Sequence, residues 1–374
     1  GGGGGGAGGT DYWFLSESYG RNGGPGIASS ISGQLRYYAG GGGGGVYPLP
    51  NYSNTGPVGQ GGSGVGACGG TGQHGSGEPG QSAMANRGGG GGGIGMQPVT
   101  DPKKLVKAVG RARSLAERTF SNDGVYLEKL LERPRHIEFQ VVADKHGNAR
   151  TIFERDCSIQ RRYQKVIEES PAPGIDPHSL EKLAETIRSA VQTMGYDNIG
   201  TVEMLRGEDG SFTFLEMNTR LQVEHGVTEE VTGIDLVVAQ IRAAAGETLS
   251  EIFEKEPQCT GHAVQARVYA EDPIKFFPSP GHLEKFDLPS GDGIRIETGF
   301  AQGMDVTPFY DPMIAKVIAR ADDRVAAIKR LRDALSDFTI SGPKTNIPFL
   351  LEVLDSEEFR TGKVHTNLVV DLRS

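Results

Sequence analysis

Phe214-Leu-Glu-Met-Asn-Thr-Arg-Leu-Gln-Val-Glu-His225 is the stretch on which the reading of this chain turns. Strand side chains alternate faces, so Glu216, Asn218, Arg220, Gln222 and Glu224, each two residues apart, aim at one surface. A run of polar residues on one face is costly unless that face is a wet functional cleft, or unless it forms a structural strand of ion pairs. Glu216 and Asn218 offer hard oxygen ligands at i, i+2, which suits Mg²⁺, an ion held by one or two carboxylates plus substrate phosphates. Arg220, Gln222 and Glu224 add a guanidinium, an amide and a carboxylate to the same cleft.

Immediately upstream, Gly200 to Leu205 and Ser211 to Met217 read as a hairpin around Gly207 and Gly210. Thr201, Glu203 and Leu205 share one face; Phe212, Phe214, Glu216 and Asn218 share one face. If the two faces coincide, two carboxylates and an amide converge. Further out, residues 179–194 repeat Leu180, Leu183, Ile187, Val191 and Met194 at helical spacing before Gly195. A second hairpin is expected from 137–144 and 149–154, a strand from 124–131, and a helix from 101–119 behind Pro102. Strands at 262–270, 281–287, 294–298 and 313–321, then a helix at 323–337, complete an α+β pattern with mostly antiparallel pairing.

The chain has 374 residues, enough for two or three domains, with 36% hydrophobic and 23% charged residues and a net charge of −9. It contains no apolar run of membrane length, and residues 1–30 show no basic segment followed by an apolar one, which argues against membrane and secreted classes. Cys68, Cys157 and Cys259 are too scattered for a disulfide framework or a metal pair, so a reducing compartment is expected. The acidic balance argues against a general nucleic-acid binder, although Arg161, Arg162 and Lys165 could hold a small anion. Most of the 57 glycines lie in the first hundred residues, in runs such as Gly1 to Gly6 and Gly40 to Gly45. They do not recur at every third position, which excludes a collagen repeat. Residues 1–87 therefore read either as a low-complexity tail or as a true domain in which glycine stands in for other side chains. Within the run Gly90 to Gly95, backbone N–H groups can approach phosphate with no side chain in the way, though a chain so rich in glycine produces such runs by chance. The charge run Glu154 to Lys165, followed by Glu168 and Glu169, reads by itself as a solvated face.

Several segments together resemble a known family. Arg135-His-Ile-Glu-Phe-Gln-Val-Val-Ala-Asp144, Glu154-Arg-Asp-Cys-Ser-Ile-Gln-Arg-Arg162 through Pro173, Glu216 to His225, Ala270-Glu-Asp-Pro273, Pro278-Ser-Pro-Gly281 and Pro308-Phe-Tyr-Asp-Pro-Met313 are similar to the biotin carboxylase component of biotin-dependent carboxylases, an ATP-grasp family. The resemblance covers residues 88 to 374 in order. It implies an α+β ATP-grasp fold with a mobile lid domain and a large antiparallel-sheet C-terminal domain, preceded by a remnant α/β N-terminal domain. The boundaries it implies are 1–58, 59–130 and 131–374.

By the same resemblance, Glu203 and Glu216 hold Mg²⁺ or Mn²⁺ on the ATP phosphates, with Asn218 beside them. Lys165 meets ATP and bicarbonate, while Arg220, Gln222 and the Val223 backbone hold bicarbonate. Glu224 is the general base, and Arg295 stabilises the biotin enolate. Gly91, Gly92, Gly93 and Gly95 form the phosphate-covering loop, and Glu128, Lys129, Leu131, His136, Gln160 and Leu205 match the nucleotide pocket. ATP, bicarbonate and carrier-bound biotin are the implied substrates. A biotin carboxyl carrier domain and a carboxyltransferase component are the implied partners, in a homodimer or larger complex, with no nucleic acid and no membrane. The implied compartment is the cytoplasm, or the mitochondrial matrix in a eukaryote. The chain departs from the family pattern at Tyr163, where many relatives carry histidine, at Asn86, where the family has lysine, and at Trp13, which intrudes in Tyr12 to Glu17. Ile94 and Gly226 resemble the urea or guanidine carboxylase branch, with acyl-CoA and pyruvate types close by. The rival expectations are another ATP-grasp carboxylate ligase and an inactive scaffold subunit.

Overall fold

The structure is a computed structural model; it describes residues 99–373 apart from 121, 126, 128, 162 and 163, together with the backbone of two short strands, Ile27–Ser29 and Arg36–Tyr38. Gly91, Gly92, Gly93, Gly95, Glu128, Asn86, Ile94, Trp13, Arg162 and Tyr163 lie outside the described residues, as does nearly all of the expected N-terminal domain.

Eight strands form one sheet: Arg135–Ala143 (β1), Ala149–Arg161 (β2), Gln164–Ser170 (β3), Asn198–Arg206 (β4), Phe212–Asn218 (β5), His262–Tyr269 (β6), Ile294–Glu297 (β7) and Met313–Ala321 (β8). Their order is β7-β8-β6-β3-β2-β1-β4-β5, and every neighbouring pair is antiparallel. The antiparallel α+β expectation holds. Helices Leu105–Phe120 (α1), Pro177–Thr193 (α2), His225–Thr232 (α3), Leu236–Ala245 (α4), Arg324–Asp337 (α5) and Ile347–Asp355 (α6) surround it.

The alternation in β1 explains how this sheet is covered. Ile137, Phe139, Val141 and Ala143 face α2 and pack with Val202, Met204, Met217, Leu180, Ile187 and Val191. Each such fully buried aliphatic or aromatic side chain contributes about 1.5–3 kcal/mol. α2 starts where the Asp176 side chain accepts from Ser179 N and Pro177 occupies the first turn. On the other face lie His136, Glu138 and Gln140, all buried, and then Val142, which packs under Leu236, Ala239 and Ala243 of α4. A third apolar layer joins β6 and β8 to α5 and α6 through residues such as Val268, Val317, Leu331 and Phe349.

Four expectations are corrected. Among the described residues of 124–131 there is no strand; Leu127 and Leu130 are exposed, and a strand needs a ladder partner for its N–H and C=O groups. The charge run from Glu154 is no solvated face: it continues β2 to Arg161 through the middle of the sheet, and Arg155 is fully buried. The 281–287 strand divides into Gly281–His282 and Lys285–Asp287, which pair with Asp305–Val306 and Thr339–Ser341 respectively. The face assignment in β5 also changes. A register shift sets Glu203 opposite Glu216 but Met204 opposite Phe214, leaving Leu215 as an extra bulged residue. One inserted residue reverses the alternation, so Phe212 and Phe214 pack on the α2 side while Glu216 and Asn218 keep the polar side.

Candidate active site

The polar face of β1 to β5 carries a dense, nearly dry set of charges. Lys165 at the start of β3 is its centre: its Nζ donates to Glu138 Oε2 at 2.6 Å, Glu203 Oε1 at 2.8 Å and Glu224 Oε1 at 2.6 Å. These glutamates come from β1, from β4 and from the residue just before α3, so one ammonium group ties together three distant segments. Arg155 of β2 donates from Nε to Glu138 Oε1 at 2.5 Å and from a terminal nitrogen to Gln140 and Thr228, each at 2.9 Å. The other oxygen of Glu224 accepts from Arg267 at 3.0 Å, and Arg267 donates to Glu168 at 2.6 Å. Gln265 completes Glu168 at 3.0 Å.

These contacts set the protonation states. Burial pushes the Glu138 carboxyl up, but Lys165 and Arg155 outweigh it and hold Glu138 down at about 2. Burial is likewise outweighed at Glu203, where His136 and Lys165 keep the carboxyl well below the usual range. Burial lowers Lys165, yet the glutamates around it hold its ammonium charged far above the ordinary lysine range. At Glu168 burial prevails over Arg267 and raises the carboxyl. Burial also pushes the Cys157 thiol well up, so Cys157 is a protonated filler and no nucleophile.

Asn218 Nδ2 lies 3.0 Å from Glu203 Oε1 and 3.2 Å from Glu216 Oε1. The Asn218 amide N–H groups thus bridge the Glu203 and Glu216 carboxylates of β4 and β5, whose oxygens are hard donors that fit Mg²⁺ or Mn²⁺. His136 Nε2 lies 3.2 Å from Glu203 Oε2, and Gln160 donates to His136 Nδ1 at 3.2 Å and to Cys157 O at 3.0 Å. Gln222 donates to Glu203 Oε1 at 2.8 Å while its own Oε1 is buried without a partner. That orphan acceptor is expensive in a finished core and is suited to a donor supplied from outside.

The segment 219–224 differs from the alternating strand expected of it. β5 ends at Asn218, and a turn carries Gln222 and Glu224 into the cluster. Arg220 is instead exposed and donates to Leu221 O. Arg295 on β7 sits in a neighbouring group, paired with Glu229 at 2.7 Å, with Glu230 at 3.4 Å and with Glu297. A chain of contacts joins the two groups: Lys316 donates to Val223 O at 2.8 Å and pairs with Glu297, the partner of Arg295. On the other side, a cleft of about 580 Å³ is lined by Lys129, Leu131, Leu205 and Phe214 among others. Thirteen of the expected residues are thus assembled in or beside one region: Lys165, Glu203, Glu216, Asn218, Gln222, Val223, Glu224, His136, Gln160, Lys129, Leu131, Leu205 and Arg295.

Glu138, Arg155, Glu168 and Arg267 were not among the expected site residues, although they hold the cluster together. The signal for Glu138 lies in β1 itself, where His136, Glu138 and Gln140 alternate with Ile137, Phe139 and Val141. A strand apolar on one side and uniformly polar on the other, yet buried on both, lines a polar site.

Comparison with known proteins identifies the family. Residues 79–252 match the family described as carbamoyl-phosphate synthase L chain, ATP binding domain, and residues 265–371 match the biotin carboxylase C-terminal domain. A biotin carboxylase of Halalkalibacterium halodurans is 49% identical over 298 residues, covering 80% of this chain and 66% of that protein. Biotin carboxylase 2 of Bacillus subtilis is 48% identical over 290 residues, covering 78% of this chain and 65% of that protein. The chain thus spans slightly less than two thirds of the length of these relatives. The biotin carboxylase domain dimer of Hydrogenobacter thermophilus 2-oxoglutarate carboxylase, solved with MgADP, ADP and bicarbonate, superposes with a TM-score of 0.71 at 42% identity, covering 75% of this chain and 62% of that one. This chain belongs to the biotin carboxylase family, within the ATP-grasp fold.

Proposed function

We propose that the chain catalyses the first half-reaction of a biotin-dependent carboxylase: ATP, bicarbonate and carrier-bound biotin become carboxybiotin, ADP and phosphate. The observation that carries this reading is the Lys165 ammonium held among Glu138, Glu203 and Glu224, with the orphan oxygen of Gln222 beside it. Bicarbonate is a small anion that both accepts and donates hydrogen bonds. Lys165 offers it charge, and Glu224, which shares that ammonium, faces its one proton. Glu224 takes the bicarbonate proton, and the resulting dianion attacks the γ-phosphate to form carboxyphosphate and release ADP. Carboxyphosphate breaks to CO₂ and phosphate, the phosphate takes the biotin N–H proton, and the biotin nitrogen bonds to CO₂. Arg295 faces the enolate oxygen that develops in this step.

Glu203 and Glu216, with Asn218 beside them, would hold Mg²⁺ or Mn²⁺, which would supply positive charge against the ATP phosphates. Glu138 and Arg155 position Lys165, and Arg267 with Glu168 positions Glu224 by holding its second oxygen. Lys129, Leu131, Leu205, His136 and Gln160 are assigned to the nucleotide pocket, and the family resemblance assigns Glu128, Gly91, Gly92, Gly93 and Gly95, outside the described residues, to the same nucleotide. Arg220, exposed and bonded to Leu221 O, is assigned to the bicarbonate set by the family resemblance. The division into 1–58, 59–130 and 131–374 belongs to the same reading, as do a carrier domain, a carboxyltransferase component, a homodimer and a cytoplasmic setting. Among the described residues no helix is long and apolar enough to cross a membrane. Ile94 and Gly226 tilt the acceptor toward urea or guanidine. Gly226 also has a packing reason, since a Cβ there would collide with Ile318 Cδ1.

The test is bicarbonate-dependent ATP hydrolysis, measured with and without free biotin, beside Glu224→Gln and Arg295→Ala. Stimulation by biotin that survives in neither variant is the expected result. A folded wild-type preparation that hydrolyses ATP without responding to biotin defeats the reading in favour of another ATP-grasp ligase.

A further inference from the structure

A second cleft, of about 380 Å³, lies on the far side of the turn that joins β4 to β5. Three segments distant in sequence build it: Arg133 and Arg135 at the entry to β1, Arg206 with Gly207 and Glu208 at the end of β4, and Lys363 to His365 near the end of the chain. The backbone fixes their approach. Arg135 and Arg206 are direct cross-strand partners, and Thr366 N donates to Pro134 O at 2.9 Å.

Four basic side chains therefore converge, and their carboxylate partners do not match them in number. Arg135 is buried and satisfied by Asp156 at 2.6 Å, and Arg133 pairs with Asp371 at 3.0 Å. Among the described residues no carboxylate pairs with Arg206 or Lys363, and Glu208 stands exposed at the rim. The Arg206 Nε is buried and has no hydrogen-bond partner, while its guanidinium lies over the Phe212 ring, 5.9 Å from the centroid. An arginine fork packed against an aromatic ring with an unused donor has a fixed direction, which suits a tetrahedral oxyanion better than a freely rotating lysine alone. Burial and the neighbouring Arg133 hold the His365 imidazole below its usual range, so the cleft's excess charge resides on the arginines and Lys363.

We propose that this cleft binds a phosphate group, at a site separate from the nucleotide cleft and independent of the reaction assigned above. Arg206 and Lys363 supply the uncompensated charge, and Arg133 and Arg135 supply the walls. Gly207 and Glu208 line both clefts, so the turn is a shared partition. Free phosphate and the phosphate of an organic monoester present the same chemistry here, and a volume near 380 Å³ admits either.

The test is calorimetric titration of inorganic phosphate into the full chain at constant ionic strength set with chloride, with and without saturating MgADP. Expected is binding at one site that persists when MgADP is present and weakens at least tenfold in the Arg206→Gln, Lys363→Gln double variant. The charge-preserving Arg206→Lys, Lys363→Arg variant, checked for folding by circular dichroism, binds more tightly than the Gln variant and more weakly than the wild type, because lysine at 206 lacks the fixed fork. Glycerol 3-phosphate run in parallel identifies the source: tighter binding than phosphate points to a monoester, weaker binding to the free anion. Three results overturn the proposal: no heat beyond the chloride control, complete displacement by MgADP, or unchanged affinity in the Gln variant.

Discussion

The two faces of β1 make the same physical demand and answer it in opposite ways. On one face Ile137, Phe139 and Val141 meet α2 in an apolar core. On the other, one Cα away, His136, Glu138 and Gln140 are just as dry but are surrounded by Lys165, Arg155 and Glu203. The apolar face gains stability from removing surface from water, in any order of similar shapes. The polar face gains little net stability, because desolvation of its charges offsets much of their attraction, and it functions only when every partner is present. One face stabilises the fold, while the other holds charges ready for chemistry.

The largest effect that would sharpen this contrast comes from Lys165→Met. It leaves Glu138, Glu203 and Glu224 facing one another without their shared cation. Breaking such a buried set costs about 3–5 kcal/mol. Urea unfolding should show that loss, and ATP hydrolysis should fall to background. Phe139→Ala removes comparable stability, about 3–5 kcal/mol, by opening a cavity on the opposite face. Its kcat per folded molecule should stay near wild type; a large drop in kcat at full folding would show that the two faces are not separable.

Glu224→Gln is expected to lower biotin-stimulated turnover by about 10²–10⁴, and the urea midpoint falls with it, because the neutral amide withdraws a charge from both Lys165 and Arg267. Acid should act on the polar face first. Glu138 has a folded value of about 2, below its ordinary 4.5, so its contribution to stability is complete above 4.5 and is lost as pH falls toward 2. Replacing Glu138 by Gln should flatten the unfolding curve over that window, which urea midpoints measured from pH 5 to 2.5 would reveal. The smallest effect is Met204→Leu on the α2 side, under about 1.5 kcal/mol because the volume is nearly kept. A Met204→Leu cost rivalling that of Lys165→Met would erase the distinction between the faces.

Much of this arrangement was legible beforehand. Helical spacing placed α2 and α5 to within a few residues, and the motif Glu216 to His225 picked out Glu216, Asn218, Gln222 and Glu224. The strand expected at 124–131 failed because apolar alternation says nothing about whether a sheet edge is available to pair with. The charge run from Glu154 looked solvated because a sequence shows charges but not the opposite charges that meet them; Glu138 and Arg155 are 17 residues apart and Glu168 and Arg267 are 99 apart.

By itself the sequence determined the antiparallel α+β class, the family and the identity of most residues that meet at the site, because these rest on local periodicity and on contiguous motifs. Tertiary structure alone decided that Leu215 bulges and turns Glu216 toward Glu203, and that Arg220 stands outside while Gln222 and Glu224 turn in. It also decided that one lysine binds carboxylates from three segments. Register, turns and long-range ion pairs depend on which strands become neighbours, and in this chain Arg324 meets Glu169 from 155 positions away and Arg133 meets His365 from 232.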